Sequence, residues 1–193
     1  MIMDRDILKA RFDEALSYAD FVKLGEPEGH RPQWDQRYGQ LELSAPQSEL
    51  VRSFTRQMHI LCLTGTWCGD CALQGSAMQR IAEANPASID LRYLLRSEEQ
   101  AELVVKAPIN AGYRVPVTWF LAEDFEPVAW FGDRTLSRYR SIARKSLPPQ
   151  ETAAMPPAPA DPVREVLQEV LDEFERVQLL LLLSPRLQAL HGA

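Results

Sequence analysis

Five consecutive residues, Trp67, Cys68, Gly69, Asp70 and Cys71, carry the strongest chemical signal in the chain. Two cysteines separated by two residues can close into a disulfide through a tight ring. Their surroundings decide whether they do chemistry. Before them runs a short apolar stretch, Ile60 to Thr64, as expected of a strand buried on both faces. After them Leu73, Ala77 and Ile81 recur at helical spacing, widened by Met78 and Ala82, which predicts a helix from about Cys68 to Ala84. A thiolate at a helix start faces unpaired backbone N–H groups and the positive end of the helix dipole, and both favour its charged form. The expected division of labour is that Cys68, the outer sulfur, attacks a disulfide and Cys71, the inner one, resolves the mixed disulfide. Gly69 leaves room for an incoming sulfur, and Trp67 supplies an apolar lip beside it.

The bland readings of the same residues are metal binding and a merely structural dithiol. Zinc needs four ligands, and there is one CxxC; Cys62 and His30 would have to complete the set from a strand and a distant loop. Metal is therefore the weaker reading. Cys62 itself reads as a core thiol behaving as a small hydrophobe. His30, His59 and His191 have no catalytic arrangement in the sequence and read as surface or loop residues. Trp34, Trp119 and Trp130 read as core or packing residues. No serine sits in a GxSxG context, and no glycine loop resembles a phosphate cradle.

Elements at both ends must hold this site. Ile7, Leu8, Phe12, Ala15 and Leu16 predict a first helix from about Asp4 to Lys23, broken by the Gly- and Pro-rich stretch 25–32. A short helix over 33–43 carries Trp34 and Tyr38. Ser44 and Gln47 form a capping-box pattern for a helix to about Gln57. Beyond the dithiol helix, Ile89, Leu91, Tyr93 and Leu95 alternate as a strand, and Ser97 to Lys106 reads as a helix. Val117 to Leu121 and Val128 to Phe131 are two strands joined by a short turn, and Asp133 is positioned to cap a helix to about Lys145. The order α-β-α-β-α-β-β-α predicts an α/β sandwich. The expected organisation is a helical extension over 1–45, a core domain over 46–146, a Pro-rich linker over 147–160 and a C-terminal amphipathic helix over 161–193. Six of the fourteen prolines lie between Pro148 and Pro162. The last helix shows a stripe from Val163 to Val177, with Ser184 and Pro185 ending it. It either packs on the core or joins two copies, since five consecutive leucines, Leu179 to Leu183, wrap all its sides.

In this element order the dithiol resembles that of the thioredoxin family, over about 100 residues from the helix near Ser48 to the helix near Lys145. WCGDC is one residue away from the family's usual WCGPC. Val115, Pro116, Val117 and Thr118, at the start of the third strand, are a second match, and Gly132, after the last strand, is a third. Residues 17–45 resemble the helical extension of a bacterial thioredoxin-like subgroup that also carries WCGDC. The resemblance implies a three-layer α/β/α sandwich with a mixed central sheet and helical extensions at both ends. It implies a cis Pro116 packed against the dithiol, and a Val115 backbone that aligns an extended substrate peptide. Gly132 keeps the surface bare for substrate. Trp67, Gly69 and Asp70 complete the implied substrate-binding set around the catalytic Cys68 and Cys71. Two departures matter. The family's buried aspartate, six residues before the first cysteine, is here Cys62, a poor proton carrier. Asp70 stands where proline is usual, and its charge is expected to oppose ionisation of Cys68, leaving its pKa no lower than in ordinary thioredoxins.

The composition bounds the rest. The chain has 193 residues and a net charge of −6, so no basic surplus points to nucleic acid. Three cysteines cannot staple a secreted scaffold. The start lacks a signal-peptide pattern and no apolar run approaches a membrane span, so the expected location is the cytoplasm. The leading expectation is a thiol–disulfide oxidoreductase that needs no bound cofactor. It would act on protein or low-molecular-weight disulfides, with electrons from a separate reductase or small thiol. The alternative from another class is a binding module whose dithiol is incidental or regulatory, with extensions that recruit a partner.

Overall fold

The computed structural model describes residues 3–191. Four strands, β1 (Met58–Thr64), β2 (Ile89–Leu95), β3 (Val117–Leu121) and β4 (Pro127–Phe131), form one sheet in the order β2-β1-β3-β4. β1 pairs parallel with β2 and antiparallel with β3, and β3 pairs antiparallel with β4. Helices cover both faces, giving the expected three-layer sandwich. α1 (Arg5–Glu14), α2 (Tyr18–Leu24), α3 (Arg31–Gln40) and α4 (Ala45–Arg52) precede the sheet, and α5 (Gly69–Ala84) crosses from β1 to β2. A turn of 3₁₀ helix (Glu98–Gln100) and α6 (Ala101–Lys106) lead towards β3. After β4 come α7 (Leu136–Ser146), the short α8 (Pro149–Thr152), α9 (Pro162–Leu182) and α10 (Pro185–His191).

β1 is buried along its whole length, and the pleat sends its side chains into two cores. Met58, Ile60 and Cys62 join the larger one with α3, α5 and α9; Leu61 and Leu63 join the other with α1 and α6. Cys62 is fully buried, as a small hydrophobe would be. The apolar stripe of α9 sinks into the larger core through Val166, Leu167, Val170, Leu171, Phe174, Val177 and Leu181.

Several elements depart from the sequence pattern, each for a visible reason. The single helix expected over 4–23 is two. Leu16 and Tyr93 exchange a pair of 2.8 Å backbone hydrogen bonds, which pulls the chain onto the edge of β2, and Ser17 then caps α2. α4 starts at the capping box but stops at Arg52, because the Gln178 side chain holds the following loop through the backbone of Thr55 and Arg56. Thr135, not Asp133, caps α7; Asp133 is buried and accepts hydrogen bonds from Arg134 and Tyr139. The Pro-rich stretch contains the turn α8, and Pro185 begins α10 where the chain was expected to stop being helical. Two aromatic assignments also change. Trp34 and Trp119 are buried, but Trp130 is 53% exposed on the edge strand β4. His59 is no surface residue: it lies buried in β1, stacked on Phe125.

Candidate active site

The dithiol sits where the sequence places it, at the turn from β1 into α5. Cys68 is the N-cap residue of α5, and its Sγ accepts the Cys71 backbone N–H at 3.3 Å. The thiol therefore takes the position a serine or aspartate oxygen usually holds at a helix start. Cys68 is partly exposed and Cys71 fully buried, and both are free thiols. The Val115–Pro116 bond is cis, and the Val115 carbonyl lies 3.9 Å from Cys68 Sγ. Val115 is partly exposed and Pro116 buried beside it.

The two thiols are pushed apart in acidity. Hydrogen bonding from the Cys71 side chain lowers the Cys68 pKa against the cost of burial; the Cys71 and Asp70 backbone N–H groups lower it further, to about 6. Burial drives Cys71 well above the ordinary thiol value, and the negative neighbour at Cys68 adds to the rise. Cys62 is raised to about 12, again by burial. The buried Thr64 hydroxyl, with no nitrogen or oxygen partner among the described residues, works in the opposite direction on both Cys62 and Cys71.

Asp70 acts on Cys68 in the direction expected from the sequence, but it comes with partners the sequence did not reveal. It is buried, and its two carboxylate oxygens each accept from a guanidinium Nε: Arg134 at 2.6 Å and Arg138 at 2.7 Å. Its charge still opposes ionisation of Cys68, but as the last and smallest of the five influences. Two cations that local spacing could not reveal pair with it, while the hydrogen bonds from the Cys71 side chain and from the Cys71 and Asp70 backbone acidify Cys68. Gly132 opens the loop from β4 to α7 that carries Asp133 and Arg134 back to the dithiol. Gly69 is exposed beside Cys68, as an approach for a sulfur requires.

The remaining surprise is the N-terminal extension, which reaches the site. The Thr66 carbonyl, two residues before Cys68, accepts from Gln33 Nε2 at 2.7 Å and from Trp34 Nε1 at 2.8 Å. His30 Nδ1 lies 3.0 Å from Thr66 Oγ1, so His30 belongs to the active-site loop and is not an idle surface residue. α3 thus clamps the loop that presents the dithiol. Trp67 is 47% exposed, and its ring lies over Gly65, where a Cβ would come within 2.7 Å of it. Gln33, Trp34, Thr66, Arg134 and Arg138 were missed as site residues. The partners of Thr66 and Asp70 lie 32 to 68 positions away, beyond the reach of any local pattern. Among the described residues no group of three or more His, Cys, Asp or Glu is arranged to hold a metal ion, and no helix is long and apolar enough to cross a membrane.

Comparison with known proteins agrees with this geometry. A sequence profile described as thioredoxin matches residues 16–142. No match is found among curated proteins. Two solved structures share the fold. One is a protein of unknown function from Pseudomonas aeruginosa, 19% identical, with a TM-score of 0.57; the alignment covers 86% of this chain and 93% of that one. The other is an HIV epitope-scaffold, 17% identical, with a TM-score of 0.61 and coverage of 88% and 95%.

Proposed function

The chain belongs to the thioredoxin family, and from that premise and the state of its dithiol we propose that it is a thiol–disulfide oxidoreductase. The observation that carries the reading is the opposed pair: an accessible Cys68 acidified to about 6 and a buried Cys71 kept protonated. The Cys68 thiolate attacks one sulfur of a substrate disulfide, forming a mixed disulfide and expelling a thiolate. Cys71 then gives up its proton and attacks Cys68 Sγ, which closes the protein disulfide and releases the second substrate thiol. Two electrons leave the dithiol and two substrate thiols form.

Loss of the negative charge on Cys68 in the mixed disulfide removes one of the influences that raise Cys71, burial remaining the largest, so the resolving thiol becomes easier to ionise when it is needed. Trp67 and the Val115 carbonyl flank the attacking sulfur and suit an extended substrate backbone. The proposed chemistry needs no bound cofactor. Its electrons come from a separate reductase or a small thiol, and its proposed setting is the cytoplasm, where such donors keep thiols reduced. The test is Cys68→Ser: disulfide reduction should vanish while the fold, read by circular dichroism and thermal unfolding, stays intact. Undiminished turnover in that variant refutes the assignment.

A further inference from the structure

Beside Cys68 opens a cleft of about 480 Å³. Arg37 of α3, Arg134 and Arg138 of the α7 region, and Pro162 and Val163 of α9 line it together with Cys68. Both terminal extensions therefore build its walls. The charge in it runs against the chain as a whole. The protein carries −6, yet this cleft gathers three guanidinium groups, and Asp70 is the single carboxylate among the described residues lining it.

Asp70 does not use up the cations. It takes the Nε of Arg134 and of Arg138, while the remaining donors of Arg138 have no hydrogen-bond partner among the described residues. Among the described residues the Arg37 side chain donates only to Gln40, at 3.0 Å. Arg134 shares one further nitrogen with Asp133 and is 25% exposed; Arg138 is 34% exposed. Forked donors left free at the mouth of a cleft, a short way from a nucleophilic sulfur, suit carboxylate groups. The volume falls in the range of small-molecule sites, which favours a small ligand over a protein surface.

We propose that this basic cleft selects small anionic disulfides, whose carboxylates seat on Arg37, Arg134 and Arg138 while a substrate sulfur meets Cys68. The proposal rests on the oxidoreductase reading and adds the substrate class to it. Arg37, which touches neither sulfur nor Asp70, is a specificity-determining residue contributed by the N-terminal extension. The exchange is the one already balanced: the dithiol is oxidised, and two carboxylate-bearing thiols are released.

The experiment compares three disulfides of similar size: dithiodiacetate (anionic), bis(2-hydroxyethyl) disulfide (neutral) and cystamine (cationic). Rate constants with the fully reduced protein are divided by those with 2-mercaptoethanol, which removes the differing leaving-group acidities. The normalised constant should be at least about tenfold higher for the anion than for the cation, with the neutral compound between, and should converge as ionic strength rises. Arg37→Gln should lower that ratio about threefold or more. Equal normalised constants for all three, or a preference untouched by salt and by Arg37→Gln, overturn the proposal and leave the oxidoreductase reading standing. No reaction with any of the three overturns that reading itself.

Discussion

The two sulfurs of the site are three residues apart and titrate in opposite directions, because Cys68 is hydrogen-bonded by the Cys71 side chain and by backbone N–H groups at the helix start while Cys71 is buried. Cys68 receives the Cys71 N–H and ionises easily; Cys71 receives burial and a negative neighbour and does not. Only the thiolate reacts with alkylating agents, so the sign of the pH dependence follows. Alkylation of Cys68 should rise with pH up to a midpoint of about 6 and level off above it. A midpoint near the ordinary thiol value, about 8.5, contradicts this account. Arg138→Gln withdraws one of the two cations that offset Asp70, leaving more of its charge to act on Cys68, and should move the midpoint upward. The motif residues were legible in the sequence because strand, dithiol and helix are contiguous. The fate of Asp70 was not, because its partners arrive from beyond the last strand, 64 and 68 positions later in the chain. A carboxylate read alone looks like a brake on ionisation; it remains one here, but as the smallest of the influences on Cys68 and paired with two guanidinium groups.

At the scale of elements, the site depends on how closely α3 can lie on α5. Trp34 is wholly buried between them and still reaches the Thr66 carbonyl. Gly75 makes this approach geometrically feasible: a Cβ there would stand 2.6 Å from the Trp34 ring. Gly75→Ala should therefore force the two helices apart and cost about 1–3 kcal/mol in denaturant unfolding. It should also loosen the active-site loop through Thr66. An unchanged unfolding midpoint would mean that α3 is not seated as described. The core strands and helices were readable from period-2 and period-4 apolar patterns, and the capping box at Ser44 marks its helix start correctly. The break at Leu16 was not readable. Its apolar spacing continues the helical pattern, while its backbone joins β2 through a bridge to Tyr93, 77 positions later in the chain. Long-range backbone pairing of this kind overrides local periodicity.

For the whole molecule, the extensions are part of the fold that makes the site. α9 is seated on the sheet, with Phe174 packed edge-to-face on Phe120 of β3 at 5.2 Å. Phe174→Ala should cost about 3–5 kcal/mol, measured by chemical denaturation, which an independent appendage on a linker would not show. Leu179, Leu180, Leu182 and Leu183 remain exposed on the far side of that helix, so burial in one protomer accounts for the stripe and not for the leucine run. The sequence separates core from extensions by composition, and the structure joins them through packing that composition does not encode. The clearest case is α3, whose residues Gln33 and Trp34 hold the dithiol loop from outside the 46–146 core expected from the sequence, yet inside the stretch that the thioredoxin profile matches. The central claim is that Cys68 and Cys71 form a working redox couple. The measurement that tests it most directly is a redox titration of the pair, read by mass after thiol alkylation in a Cys62→Ala background. A reversible two-electron transition, at or somewhat below the glutathione poise of the cytosol, is the predicted result. A pair that never closes into a disulfide at any potential contradicts the account.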